Sequence, residues 1–279
     1  MNISDRIGIS TNILDNSEYL FSSLEGLSER FRTVEIEFDN EARPYLMKPE
    51  SEVNPELERV LALKESRGLY FSVHAPYIGR STDISNPDEA QREQAVDLMK
   101  RTIRLTAKLG ATRMTCHPGY LTKDPELQHM LFGQLKKSLV QLTDEASQYG
   151  IDICLENTGD KRPNYIVLND EEQEELCTAF GVFMTMDIVH FTSFHGMDRD
   201  YYERLKPMVK WIKNVHFADM VVPNHVHLPL GSGDFKYQDA IAFLNGAGYT
   251  GNFIVEERGA KFTEADYLDA AFHYRSSLA

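Results

Sequence analysis

Eight short runs rich in apolar, β-branched and aromatic residues punctuate the chain, at 7–11, 33–38, 70–76, 113–118, 152–157, 182–190, 214–220 and 252–257. Each is short, and most give way to polar residues or glycine, the pattern of a buried strand. The stretches between them run to roughly 10–25 residues and change period. Val96, Met99, Ile103 and Ala107, for instance, form the apolar stripe of a helix laid on a sheet. Strands alternating with helices imply parallel βαβ units, and eight such units close into an α/β barrel of the (β/α)8, or TIM, type. A doubly wound open sheet is the alternative. Its glycine-rich phosphate turn is missing after the first run, where Ser10, Thr11 and Asn12 stand.

The boundaries of these elements carry their own chemistry. Asn54-Pro55, Asn86-Pro87 and Asp124-Pro125 each place a capping side chain before a proline at the first helical position. Asn86 with Glu89, and Asn169 with Glu172, have capping-box spacing. Gly68, Gly110, Gly150 and Gly181 follow helical runs and precede strands, where a left-handed cap is expected. A last helix is expected from Thr263 to Ser277.

At 279 residues the chain fits one barrel domain spanning 1–279 with no linker. Its formal net charge of −14 disfavours nucleic acid and anionic membranes as partners and favours small substrates. Cys116, Cys154 and Cys177 form no C-x-x-C pair, so neither a disulfide framework nor a thiolate zinc site is suggested, and a reducing cytoplasm fits. No signal-peptide pattern and no membrane-spanning apolar run is seen.

In such a barrel the catalytic side chains come from the C-terminal strand ends and the loops after them. Those ends supply His74, His117, Glu156, Asp187 with His190, His216 and Glu256, and the loop after the seventh strand adds His227. Singly, each has an ordinary structural reading: a hydrogen-bonded histidine, a carboxylate paired with an arginine such as Arg258, or Asp187 capping a turn. Together, nitrogen and oxygen ligands at six successive strand tips point to a divalent metal. A His/carboxylate set without thiolates suits Mn²⁺, Zn²⁺, Co²⁺ or Fe²⁺ better than Ca²⁺. His129 and His273 fall in polar helical stretches and His195 in a loop, so surface roles are expected for all three. Glu35 and Glu37 share one face of the second strand, and the pattern leaves open whether that face points inward. Cys154 has the parity of Glu156 and is expected to fill the barrel below the site.

With these residues in view, the chain resembles the xylose isomerase-like barrel superfamily, which includes sugar isomerases and epimerases and endonuclease IV. The motifs are Val-His-Ala-Pro-Tyr at 73–77, Cys-His-Pro-Gly at 116–119, Leu-Glu-Asn-Thr at 155–158, Met-Asp-Ile-Val-His at 186–190, Asn-Val-His-Phe-Ala-Asp at 214–219, His-Leu-Pro-Leu-Gly-Ser-Gly at 227–233 and Ile-Val-Glu at 254–256. In its epimerase branch the resemblance implies that Glu156, Asp187, His216 and Glu256 hold one metal, with His190 contacting substrate. In its endonuclease IV branch it implies a second zinc at His74 and His117 and a third at His190 and His227. The third endonuclease zinc also takes an aspartate where this chain has His225, a departure from the pattern.

An isomerase needs a metal to hold adjacent carbonyl and hydroxyl oxygens and two groups to move the proton between them, roles that fit Glu156 and Glu256. A phosphodiesterase needs two or three clustered metals, which His74 and His117 would favour. Duplex DNA calls for many cationic contacts. Arg80, Lys123, Lys161, Arg162, Arg258 and Lys261 in the strand-tip loops are matched by interleaved acids. The expectation is therefore a metal-dependent isomerase or epimerase of a sugar, sugar phosphate or related polyol, holding one metal. The alternatives are an endonuclease IV-like phosphodiesterase with two or three metals and a non-catalytic sugar-binding barrel.

Overall fold

The computed structural model describes residues 2–14, 20–39, 43–120, 125–158, 170–224, 226–256, 259 and 261–279. Its centre is a closed barrel of eight parallel strands in chain order: β1 (Ile7–Ser10), β2 (Thr33–Glu37), β3 (Tyr70–His74), β4 (Arg113–Cys116), β5 (Asp152–Glu156), β6 (Phe183–Asp187), β7 (Ile212–Phe217) and β8 (Asn252–Val255). β8 pairs back onto β1, with Gly8 opposite Ile254. All eight apolar runs are strands, as their pattern implied. The largest difference is in the sixth, expected to reach residue 190: it stops at Asp187, where a helix, Ile188–His195, begins. Apolar residues at 188, 189 and 191 are all buried there, so a buried helix turn mimics a strand.

Period-two alternation gives each strand two unlike faces. Val34, Ile36, Val73, Met114, Leu155, Val215 and Phe253 join the apolar core shared with the helices outside. The alternate positions point inward, and most of those nearest the C-terminal end are polar, among them Glu37, His74, Thr115, Glu156, Thr185, Asp187, Asn214 and His216. Thr115 Oγ1 and Thr185 Oγ1 meet at 2.7 Å, and Asn214 Nδ2 donates to Glu35 Oε2 at 2.7 Å, bonds that join strands which are not neighbours in the sheet. This fixes the face of β2 that the sequence left open: Glu35 and Glu37 are the inward set, and both are buried. Cys154 is buried on the inward face as expected, and burial raises its thiol pKa.

The barrel narrows at its N-terminal end. A Cβ on Gly8 would stand 2.7 Å from the Thr33 carbonyl oxygen and 2.8 Å from Ile254 Cδ1, so glycine alone fits. Arg6 closes that end, its guanidinium donating to the carbonyls of Gly251 at 2.7 Å and Tyr249 at 2.8 Å and to Asn245 Oδ1 at 2.7 Å.

Helix ends were less well read than helix bodies. Gly68, Gly110, Gly150 and Gly181 all take positive φ, as expected, and the last helix, expected from Thr263 to Ser277, is Glu264–Ser277, which Thr263 caps with a full capping box. Pro55, expected at a helix start, instead lies inside Glu50–Arg67, so Asn54 is no cap. Asn86 likewise does not cap the next helix; Asp88 does, accepting from the Gln91 amide at 3.0 Å, while Asn86 Oδ1 turns the chain by accepting from the Asp88 amide at 2.9 Å. The residues Lys123, Asp124, Lys161, Arg162, Asn169, His225 and Arg258, each singled out in the sequence, lie outside the described residues. Among the described residues no helix is long and apolar enough to cross a membrane.

Candidate metal centre

All eight sequence-derived candidates converge at the C-terminal mouth of the barrel. His74 ends β3, Glu156 ends β5, Asp187 ends β6, and His216 is the penultimate residue of β7. His117 directly follows β4, and Glu256 directly follows β8. His190 sits in the first turn of Ile188–His195, whose N-cap is Asp187: Asp187 Oδ1 accepts the His190 amide at 2.7 Å. Asp187 thus caps the turn, and its Oδ2 is turned toward His190 Nδ1 at 3.8 Å and His227 Nε2 at 3.6 Å. His227 lies on the returning loop, beside the bridge between Asp219 and Leu228.

Glu156 is the hub. Its Oε2 lies 3.2 Å from His74 Nε2, 3.2 Å from His117 Nε2 and 3.5 Å from His216 Nδ1, and its Oε1 lies 3.3 Å from His190 Nδ1. His216 Nδ1 is also 2.5 Å from Glu256 Oε2. Neither glutamate relies on an arginine among the described contacts. Around the hub, several groups fix the rings. His74 Nδ1 donates to the Ala75 carbonyl at 2.8 Å and His190 Nδ1 to the Asn157 carbonyl at 2.9 Å, which leaves the opposite nitrogen of each ring as the acceptor in the neutral form. Tyr77 stacks on His117 with centroids 4.4 Å apart and planes at 25°. Asp39 holds the Tyr77 and Ile78 amides at 2.5 and 3.0 Å.

The charges in the cluster sustain one another. Burial opposes ionisation of Glu156, but the imidazoles of His117, His216 and His190 outweigh it and hold the carboxyl well below its ordinary range. Burial likewise opposes a charge on His74, yet the Glu156 bond and the Glu256 and Glu37 carboxylates lift it to about 10. His216 is raised well above its ordinary value despite burial by Glu256, Glu35 and Glu156. A dense set of buried acids and imidazoles tuned by one another, at the mouth of a barrel, is the kind of place where chemistry is done.

Among the described residues, four groups of side chains offer ligand atoms that all lie within 4.8 Å of one another: Glu156, Asp187, His216 and Glu256; His74, His117 and Glu156; His74, His216 and Glu256; and Asp187, His190 and His227. Ligand atoms about 2.0–2.2 Å from one ion stand about 3–4.4 Å apart; the first group lies near that span, and His216 Nδ1 and Glu256 Oε2, now 2.5 Å apart, would move apart to share an ion. One imidazole and three carboxylates suit a divalent ion of the Zn²⁺ or Mn²⁺ kind, and the four residues fit it. Such a centre can acidify a proton beside a carbonyl or activate a water.

Three contributors escaped the sequence reading. Glu35 meets His216 Nε2 at 2.6 Å. Asn214 reaches Glu35, and its place two residues before His216 on one strand face was the available signal. Asn157 exchanges bonds with the Asp187 backbone, accepting its amide at 2.7 Å and donating to its carbonyl at 2.9 Å, which locks the tip of β6 beside β5. The histidines set aside do stay out of the cluster: His129 and His273 are exposed on helices. His195 was misplaced, since it ends Ile188–His195 rather than lying in a loop, half-buried 3.6 Å from Asp170.

Comparison with known proteins agrees with this architecture. Residues 28–276 match the family model described as xylose isomerase-like TIM barrel. The fructoselysine 3-epimerase of Shigella flexneri is 21% identical over 213 residues, covering 70% of this chain and 72% of its own. A solved D-tagatose 3-epimerase-like protein superposes with a TM-score of 0.79 at 22% identity, over 97% of this chain and 96% of that one. The IolI protein, solved with a bound zinc atom, superposes with a TM-score of 0.76 at 18% identity, over 98% and 97% of the two chains. At these identities the likeness to the solved structures is one of fold.

Proposed function

Because the chain belongs to the xylose isomerase-like TIM-barrel family, we propose that it is a divalent-metal-dependent isomerase or epimerase of a sugar, sugar phosphate or related polyol. The observation that carries this reading is the quartet Glu156, Asp187, His216 and Glu256, whose ligand atoms lie within 4.8 Å of one another. A divalent ion held there would polarise adjacent carbonyl and hydroxyl oxygens and acidify the carbon-bound proton beside them. The chain's own part is to move that proton. Glu156 and Glu256 come from β5 and from the residue after β8, so their carboxylates reach the cluster from separate parts of the ring. One accepts the proton as the C–H bond breaks, and the other returns a proton to the opposite face or to the neighbouring carbon. His190, whose ring is fixed by the Asn157 carbonyl, is assigned to substrate oxygens. The epimerases among the similar proteins support this substrate class, and the zinc of IolI supports the metal.

A second reading, an endonuclease IV-like phosphodiesterase, is favoured by two of the three further groups, His74 with His117 and Glu156, and Asp187 with His190 and His227. The net charge of −14 weighs against a duplex substrate. The test is incubation of metal-loaded protein in D₂O with a panel of ketoses and their phosphates, following both deuterium uptake and the products, since an isomerase using hydride shift would take up none. Epimerised or isomerised product, lost in Glu156→Gln and in Glu256→Gln, is the expected result. Cleavage of abasic DNA that needs His74 and His117, with no sugar converted, would replace the first reading by the second.

A further inference from the structure

Below the quartet, Glu35 is buried to 0% exposure, yet it belongs to no group of candidate ligands that includes the quartet. Its two oxygens are used differently. Oε2 accepts from Ser72 Oγ at 2.8 Å and from Asn214 Nδ2 at 2.7 Å, two donors on β3 and β7. Oε1 faces His216 Nε2 at 2.6 Å. The serine and the asparagine thus hold the carboxylate in place, and its remaining oxygen faces one ring nitrogen only.

Resting on the metal-dependent reading above, we propose that Glu35 is a positioning residue: it accepts the Nε2 proton of His216 and so fixes the tautomer in which the Nδ1 lone pair faces Glu156 and Glu256. An imidazole carries one proton when neutral, and the hydrogen bond made by one nitrogen decides which nitrogen is left to bind metal. Asn214 Nδ2 also approaches Nε2, at 3.2 Å, but it donates to Glu35 Oε2 at the shorter 2.7 Å, and the carboxylate oxygen at 2.6 Å is the nearer partner of Nε2. A proton on Nδ1 would point into the quartet, 2.5 Å from Glu256 Oε2, and would have to leave before His216 could act as a ligand.

The geometry supplies a selective perturbation. Glu35→Gln keeps the shape but replaces one acceptor oxygen by an NH₂ donor. If the amide oxygen takes the side of the two donors, Ser72 and Asn214, the NH₂ faces His216 Nε2 and makes it an acceptor, which drives the proton to Nδ1. The variant is therefore expected to lose roughly 10–100-fold in Zn²⁺ affinity, the usual effect of removing such a partner. Binding is measured by competition with a chromogenic chelator, alongside thermal melting of the chelated proteins. A purely structural Glu35 would lower the melting temperature and leave affinity unchanged, and that result would overturn the proposal.

A second measurement needs no variant to fold. In ¹⁵N-histidine-labelled wild-type protein loaded with Zn²⁺, His216 is expected to show a metal-bound Nδ1 and a protonated Nε2. The reverse assignment would overturn the proposal. If the wild-type chain binds no divalent ion at all, the metal-dependent reading fails, and this inference falls with it by a distinguishable route.

Discussion

Asp187 caps a helix and, under the proposed function, would also hold the metal, and two substitutions separate the two roles. Oδ1 caps Ile188–His195 through the His190 amide at 2.7 Å, and the side chain also belongs to the quartet. The bonds from Asn157 go to the Asp187 backbone, so they survive any change of side chain. Asp187→Asn retains an oxygen for the cap but gives up the charge; Asp187→Ala gives up both. Replacing a cap by alanine costs about 1 kcal/mol, which for a chain of this size lowers Tm by roughly 2–4 °C. In chelated protein, Asp187→Asn is therefore expected to melt close to the wild type and Asp187→Ala roughly 2–4 °C below it. Metal separates the proteins differently. At a free concentration of about 100 Kd the wild type gains about 2.7 kcal/mol, or roughly 5–11 °C. Loss of a ligand should weaken binding by at least the 10–100-fold of an outer-shell change. At 100-fold, both variants would then gain only about 0.4 kcal/mol. Differential scanning fluorimetry with and without metal measures all six values. A full metal-induced rise in Asp187→Asn would remove Asp187 from the ligand set, and equal melting of the two chelated variants would refute the cap argument.

Other consequences follow from the same geometry. His216→Ala should abolish retention of metal through dialysis while His129→Ala, on an exposed helix face, leaves it intact; equal metal content by elemental analysis would count against the cluster. Burial, only partly opposed by His74, pushes the Glu37 carboxyl up from 4.5 to about 8. The stability it contributes is full below pH 4.5 and is lost as pH rises through about 8, so chelated wild type should lose Tm over that window. Glu37→Gln, with nothing to ionise, should lose less across the same range and melt higher at pH 8; parallel curves would show that Glu37 does not hold its proton. Gly8→Ala should cost roughly 1–3 kcal/mol by urea unfolding, because its Cβ would press on the Thr33 backbone at 2.7 Å, and an unchanged midpoint would show that the barrel floor can open.

The sequence exposed the barrel well because its strands end in chemistry. An apolar run that carries His74 or Glu156 near its end marks both an element and, to within two residues, the place where it stops. Where polarity does not change, the boundary was invisible: residues 188–191 are as apolar as a strand because the helix they begin is itself buried. Pro55 misled because proline is favoured at the first helical position, whereas here it is the sixth residue of Glu50–Arg67, past the turn whose amides have no intrahelical partner. The quartet was legible as a set, but its support was not. Glu35 and Glu37 share a parity, and only the bonds across the barrel from Asn214 and His216 tell which way that parity points. Such contacts join residues 179 and 181 positions apart, a separation over which local periodicity carries no information.

The seal that Arg6 makes at the base of the barrel has a consequence for synthesis. Its partners at Asn245, Tyr249 and Gly251 are made 239 to 245 residues after it. At ribosomal speeds of about 5–20 residues per second, the guanidinium waits roughly 12–50 s for them. β1 waits equally for the edge of β8, and through that interval the nascent sheet is an open curl with two unpaired borders. Factors that shield emerging chains would therefore matter to this protein until residues 245–255 have been made, and a stall placed just before them should do more harm to its yield than one placed anywhere earlier.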